Sequence, residues 1–331
     1  MLIADIVGDK LVSGFFLIVE NQIRIAKNGS NYLALKLGDR SGEIAAKVWS
    51  ATEELFFQLE VGKVIKLNNI QAKSYKDQLQ LEWDAKSSDS YQVVNEEEID
   101  YSRFLPCTPG NLKDYWNFIN TMIREIKDPV LKRVLNSFFG DKQFVANFLR
   151  VPAGLKRHHA YIGGLAEHTA GVLNLCVAAA NYYPMINKEL LVTGAILHDI
   201  GKTKTYKIDK GIDGSDEGKL IGHLVLGVQM VDRAFDGLMQ EFDVEVVTEI
   251  KNQLIHLLVS HHGIMEWGSP IEPLMIEACI LHHADNMDAQ TTKFLTIMRQ
   301  HRKGIVWAAY DTGLGRSIYL GKQLINDPDD E

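Results

Sequence analysis

The segment AILHDIGK, residues 195–202, ends an apolar run with an adjacent histidine and aspartate, His198 and Asp199. Ile196, Leu197 and Ile200 mark the stretch as inward-facing, and a buried charge needs a partner there. Other segments offer matching residue types. The chain has 11 histidines, and all but His301 fall between His158 and His283. His168 shares a helical face with Leu165, Val172, Leu175 and Cys176, and His223 opens the run HLVLGVQMV. His261 continues the stripe Ile250, Leu254, Leu257, with His262 beside it, and Asp285 sits in EACILHHADNMDA. Any one of these histidines is more simply a core residue satisfied by a carbonyl. Together they would leave an unpaired polar cluster inside, at about 1–3 kcal/mol per unsatisfied group. A divalent metal resolves that cost, because neutral imidazole and carboxylate are ligands of Mn, Fe, Zn and Co.

The elements that must position these groups differ along the chain. Residues 1–95 alternate in hydropathy and carry turn dipeptides, Asn28-Gly29 and Ser41-Gly42, with Lys76-Asp77 near a further turn. Three strands, a short helix over residues 51–58 and two more strands give the order of an OB-fold barrel. Residues 87–100, SSDSYQVVNEEEID, are polar and acidic and read as a linker. From Leu112 almost to Lys303 the apolar spacing is helical, as in LKDYWNFINTMIREI and PVLKRVLNSFFG. The Gly-rich, charged stretch 207–219 reads as a loop, and the tail after it all alternates enough for a small hairpin.

His168, His198-Asp199, His223, His261/His262 and Asp285 stand in an order that resembles the HD superfamily of metal-dependent phosphohydrolases. With a barrel in front and PAGLKRHHAYIGGLAEHTAGVL before the series, the chain further resembles the YhaM-type 3′→5′ exoribonucleases over nearly its whole length. The resemblance implies a multidomain α+β protein: an N-terminal OB-fold β-barrel, then an all-α HD-domain helical core. The boundaries expected are 1–95 for the barrel, 96–150 for linker and accessory helices, 151–310 for the HD domain and 311–331 for the tail. It implies metal-dependent removal of nucleotides from the 3′ end of single-stranded RNA, and often of DNA, with manganese favoured and Fe, Co or Zn as other ions. It also implies two ions bridged by Asp199, the catalytic residue.

On that basis His168, His198, Asp199 and Asp285 surround one ion, and His223 with His261 and His262 hold the second. The apolar stripe favours His261 of the adjacent pair. Lys202 is a candidate catalytic cation, for a phosphate oxygen or the leaving oxygen; as a surface residue it would only complement a helix C-terminus. His158 and His159, near Lys156 and Arg157, either face the phosphate backbone or hydrogen-bond to ligands. Asp288 reads as a helix-surface residue or one that hydrogen-bonds to ligands, and one of His282 and His283 as core.

For the barrel, Phe16, Tyr32, Trp49, Tyr75 and Trp83 are candidates for base stacking, and Lys36, Lys47, Lys73 and Lys76 for phosphate contacts. About half such aromatics in a small barrel belong to its core, and basic and acidic residues nearly balance across 1–95. The whole chain carries a formal net charge of −8, so a nucleic-acid partner must be met by local basic surface or by ions. Arg316, Tyr319 and Lys322 in the tail are further candidates. Three separated cysteines without CxxC spacing, no signal-peptide pattern and no apolar run of about 18 residues make the cytoplasm the expected compartment. Oligomerisation stays open. A second enzymatic reading keeps the metals but takes small nucleotides or cyclic nucleotides as substrate. A third reading is a single-strand-binding protein with a structural metal, against which the ligand count speaks, since structural sites close with four ligands.

Overall fold

A computed structural model describes residues 2–321 apart from 9, 27–28, 76–77, 88, 96–98, 100–102, 156–157, 210 and 301–304. Asn28, Lys76, Asp77, Lys156, Arg157, His301, Lys303 and Lys322, invoked above, lie outside the described residues, as does the side chain of Tyr75. The chain divides into two compact units, Met1–Cys107 with Ile208–Ile212, and Thr108–Lys207 with Asp213–Glu331.

Alternation builds the first unit. In β2 (Asn31–Asp39) Leu33, Leu35 and Leu37 are buried, and in β3 (Gly42–Trp49) Ile44, Ala46 and Val48. The fifteen-residue β1 (Leu11–Ile25) pairs with β4 (Val64–Tyr75) through its first half and with β2 through its second. Register breaks at Val12/Gly14 and Ile18/Glu20 bend β1 enough to serve both neighbours. β5 (Gln78–Asp84) joins β3 in parallel and β4 antiparallel, which closes the ring β1-β2-β3-β5-β4. Helix α1 (Glu53–Gln58) follows the third strand, capped by Thr52 and buried through Leu55. A sixth strand, β6 (Tyr91–Val93), pairs with β4 at Ile65–Leu67, an edge that β5 leaves uncovered. The linker expected over 87–100 therefore begins later than its composition suggests. Phe16 and Trp83 are core, 0% and 5% exposed, and are withdrawn from the base-stacking candidates.

The second unit is helical: α2 (Leu112–Glu125), α3 (Pro129–Phe139), α4 (Lys142–Phe148), α5 (Gly164–Tyr182), α6 (Lys188–Leu197), α7 (Lys202–Thr205), α8 (Asp216–Ile221), α9 (His223–Ala234), α10 (Leu238–Glu241), α11 (Val244–Ser260) and α12 (Ile276–Gln300). Side chains of Asn111, Asp128, Asp141, Asn187, Ser215 and Asp243 cap six of these N-termini, each worth about 1 kcal/mol. Helix α6 is buried along its whole second half and packs against α5, α11 and α12. Residues 207–219 are not a plain loop. A two-stranded hairpin, β7 (Tyr206–Ile208) and β8 (Ile212–Gly214), leads into α8, whose cap Ser215 accepts from Gly218 N. The tail makes a narrow ribbon through the bridges Trp307↔Tyr319 and Asp311↔Arg316.

Candidate metal centre

The histidines and acids singled out in the sequence converge where five chain segments end or cross. His168 comes from α5, His198 and Asp199 from the turn after α6, His223 from the first residue of α9, His261 and His262 from the end of α11, and Asp285 from α12. His168 Nε2 lies 3.0 Å from Asp285 Oδ1 and 3.3 Å from Asp199 Oδ2, and His198 Nε2 is 3.3 Å from the same Asp199 oxygen. The other Asp199 oxygen, Oδ1, faces His223 Nε2 at 3.4 Å and His261 Nε2 at 3.8 Å. One carboxylate thus has a set of imidazoles on each side. Ligand atoms of His223, His261 and His262 also lie within 4.8 Å of one another, as do those of His168, His198 and Asp285.

Local chemistry fixes which ring nitrogen each histidine presents. His198 Nδ1 donates to Ala195 O at 2.9 Å, His261 Nδ1 to Leu258 O at 2.7 Å, and His262 Nδ1 to Trp267 O at 3.0 Å. His168 Nδ1 sits 2.7 Å from Asp288 Oδ2. With Nδ1 carrying the proton, His198, His261 and His262 turn a bare Nε2 toward the centre, and His168 does so once the proton its acidic neighbours hold on Nε2 is displaced. Bare acceptors then crowd together: the buried Asp199 Oδ1 and His223 Nε2 lie 3.4 Å apart and neither has a hydrogen-bond partner. Acceptors so arranged need cations between them, and borderline metals with imidazole and carboxylate ligands fit.

Two glycines make the convergence possible. A Cβ on Gly201 of HDIGK would stand 2.0 Å from His223 O and 2.6 Å from Gly227 N. Its absence lets the turn after Asp199 press against the start of α9 and brings His223 to Asp199. A Cβ on Gly171 would meet Asp288 Oδ1 at 2.1 Å, so α5 and α12 approach closely enough for Asp288 to reach His168.

The charges respond to this crowding. Burial works against ionisation of Asp199, yet Lys202, His198 and His168 outweigh it and hold the carboxyl well below its ordinary range. Burial likewise opposes charge on Asp285, and hydrogen bonding and charge from His168 reverse the sign, so it too is lowered. Burial pushes His223 down to about 3 and depresses His261 and His262, which favours their neutral form, the one that can bind a metal. Lys202 is 6% exposed with Nζ 2.5 Å from Asp199 Oδ2, so it is not the surface lysine that a helix C-terminus would carry.

A cavity of about 650 Å³ opens onto the cluster, lined by His158, Asp199, Lys202, His223, His262 and Asp285 among others. His158 has an unpartnered, buried Nδ1 there, and burial pushes its pKa down to about 3. His159 departs from the expectation of a substrate contact. It is 3% exposed, with Nε2 2.9 Å from Asp288 Oδ2 and Nδ1 2.9 Å from the Tyr161 hydroxyl, so both ring nitrogens are engaged inside the protein. Tyr161 in turn donates to Glu167 at 2.8 Å, and Thr108 donates to the same carboxylate oxygen at 2.5 Å. The sequence offered only faint cues to this network: Asp288 falls three residues after Asp285 on one helix, and Glu167 directly precedes His168. Trp267, which holds His262 through its carbonyl and lines the cavity, carried no cue but the glycine after it.

In the barrel, Tyr32 and Trp49 are half-buried neighbours with ring centroids 5.2 Å apart. Lys73 pairs with Glu82 at 3.1 Å, and Lys36 with Glu20 and Glu43. Of Tyr75 only the backbone, at the end of β4, is described. Arg316 lies over the Phe294 ring of α12, 5.5 Å from its centroid.

Residues 165–290 match the HD domain family. The chain is 35% identical over 287 residues to a protein of Bacillus velezensis named 3′-5′ exoribonuclease YhaM, covering 86% of each chain. It is 34% identical over 284 residues to the protein of that name from Bacillus subtilis, again covering 86% of each. Among solved structures, the OB domain of a protein from Thermoplasma acidophilum is 15% identical, covering 29% of this chain and 86% of that one with a TM-score of 0.24. Ordered HD-type ligands behind a closed five-stranded barrel, with this identity across most of the length, place the chain in the YhaM family.

Proposed function

We propose that the chain is a metal-dependent exonuclease that removes nucleotides from the 3′ end of single-stranded RNA, takes single-stranded DNA as a further substrate, and works with manganese. The observation that carries this reading is the two-sided carboxylate of Asp199, with His168 and His198 against Oδ2 and His223 and His261 against Oδ1. His168, His198, Asp199 and Asp285 would hold one ion, and Asp199, His223, His261 and His262 a second. When bound, two such ions supply an acidified water and neutralise phosphate charge. The direction of degradation rests on the two Bacillus relatives named 3′-5′ exoribonucleases.

The chain's own residues bind and orient. Lys202 Nζ stands at the cavity wall beside Asp199, where an ammonium meets a phosphate oxygen or gives a proton to the leaving 3′ oxygen. His158 offers a ring nitrogen to the substrate backbone from the same wall. Asp288 and His159 hold the His168 ring in place. In the barrel, Tyr32 and Trp49 present rings for stacking. No disulfide joins the three cysteines and no described helix is long and apolar enough to cross a membrane, which supports a cytoplasmic setting.

The test is incubation of the purified protein with 5′-labelled single-stranded RNA and Mn²⁺. A ladder of shortening products is expected, abolished by Asp199→Ala. Turnover of mononucleotides or cyclic nucleotides alone would make it a small-nucleotide phosphohydrolase, and binding without turnover a strand-binding protein.

A further inference from the structure

Trp267 is a large aromatic, 53% exposed, on the wall of the cavity that opens onto the metal centre. It sits in a short 3-10 turn, Met265–Trp267, between the end of α11 and α12. Its position is set by the ligand segment itself. His262 Nδ1 donates to the Trp267 carbonyl at 3.0 Å, and Gly268, at φ +89°, ends the turn. Behind the indole lies His282, ring centroids 6.0 Å apart, and His282 Nδ1 donates to His261 O at 2.9 Å. Gly263 makes room for that contact, since a Cβ there would fall 2.2 Å from the His282 ring. The indole and the imidazoles of His261 and His262 are therefore parts of one clamped loop, at a fixed separation. Asn286 and Gln290, one helical turn apart on α12, line the same cavity with amide groups, Gln290 Nε2 donating to Asn286 Oδ1 at 3.3 Å.

An exposed indole at fixed distance from a phosphate-binding centre, with amides on another wall, suits one ligand chemistry. A nucleoside has a flat π-face for the indole and sugar hydroxyls for the amides, one sugar away from its own phosphate. We propose that Trp267, Asn286 and Gln290 form the subsite for the 3′-terminal nucleoside, with its base stacked on the Trp267 indole. This deepens the exonuclease reading above and rests on it. It assigns end recognition to the helical unit rather than to the barrel, and stacking without edge readout makes the subsite tolerant of all four bases.

The experiment compares two 5′-labelled single-stranded RNAs that differ only in an abasic 3′-terminal residue, with wild-type protein and Mn²⁺. Removal of the terminal residue is expected to be about 5- to 150-fold slower, in kcat/KM, when its base is missing. Trp267→Ala should remove the ordinary residue at the abasic rate and show no preference between the two ends. Trp267→Phe should keep part of the preference. Mn²⁺ binding, followed by calorimetry, should be unchanged in Trp267→Ala, because the carbonyl that holds His262 is backbone. Equal wild-type rates on both ends, or a Trp267→Ala variant that slows both equally, overturns the subsite. A wild-type protein that shortens neither RNA overturns the exonuclease reading itself and the subsite with it, an outcome distinct from shortening both at one rate.

Discussion

Asp288 Oδ2 lies 2.7 Å from His168 Nδ1, and the same oxygen lies 2.9 Å from His159 Nε2. A single carboxylate oxygen therefore orients the first imidazole of the centre and ties it to His159, which lies 129 positions before Asp288 in sequence. Asp288→Asn keeps the shape and removes the charge that fixes the His168 tautomer. Mn²⁺ affinity is expected to fall about 10- to 100-fold, with most of kcat recovered at saturating Mn²⁺. Calorimetry and a metal titration of activity would check this. A variant with wild-type Mn²⁺ affinity and only a lower melting temperature would reduce Asp288 to a packing residue.

Gly201 supplies a second test, because its missing side chain is what admits His223. In Gly201→Ala the added methyl must displace the start of α9, 2.0 Å away at His223 O. Overpacking of this kind costs about 1–3 kcal/mol, so the melting temperature should drop. More specifically, the metal stoichiometry should fall from two ions per chain to one, since His223 leaves Asp199 Oδ1 while His168, His198 and Asp285 stay. Two retained equivalents would show that His223 is dispensable for the second ion.

Much of this cluster was legible in sequence because its histidines and acids sit at helix ends and on apolar stripes, where helical periodicity alone aims them inward. The stripe Ile250, Leu254, Leu257 predicts an inward His261, and it is 1% exposed. The barrel was legible through strict alternation and through a helix after the third strand. What escaped was set by tertiary fit. Tyr91–Val93 is too short to stand out from an acidic stretch, and becomes a strand only because β4 offers an open edge. The hairpin before α8 hides in a Gly-rich composition that also suits a loop. His159 looked available to substrate because nothing local shows that Asp288 and Tyr161 engage its nitrogens from inside.

Metal loading should depend on pH differently at the two sides of Asp199. In the metal-free chain burial pulls His168 down, but Asp199, Asp285 and Asp288 together outweigh it and hold the imidazole pKa well above its ordinary value. An ion on that side must displace a proton, so its affinity rises with pH until the folded pKa is passed. Burial instead lowers His223, to about 3, and also His261 and His262. These are neutral at neutral pH, and affinity on their side should change little from there upward. Calorimetry at neutral pH in buffers of different ionisation enthalpy should find one Mn²⁺ event that releases a proton and one that does not.

The barrel pair Tyr32 and Trp49 should matter for holding the strand and not for cutting it. In an Asp199→Ala background, Trp49→Ala is expected to weaken binding of a long single-stranded RNA by about 1–3 kcal/mol, the worth of one stacked base. In the active protein the same change should raise KM on long RNA and leave dinucleotide turnover unchanged. Lys73→Ala should shift binding little, because Lys73 already pairs with Glu82 and exposed pairs of this kind are worth about 0–1 kcal/mol. A loss on dinucleotides as large as on long RNA would remove the barrel from substrate binding.

Lys202 separates metal affinity from turnover. Its Nζ stands 2.5 Å from Asp199 Oδ2, the oxygen that also faces His168 and His198, so the ammonium competes with an ion for that carboxylate. Burial pulls Lys202 down, yet Asp199 raises it overall, and it stays charged. Lys202→Met should therefore leave Asp199 uncompensated in the metal-free chain and lower its stability by about 3–5 kcal/mol, the usual cost of breaking a buried pair. Added Mn²⁺ should restore most of that stability and bind more tightly than to wild type, while kcat falls about 10²- to 10³-fold as a positioned cation is lost from the phosphate. Melting curves with and without Mn²⁺, beside steady-state rates, read the two effects separately. Weaker Mn²⁺ binding in Lys202→Met would mean that the lysine acts by holding Asp199 in its bridging orientation, and the assignment to phosphate or leaving oxygen would fall.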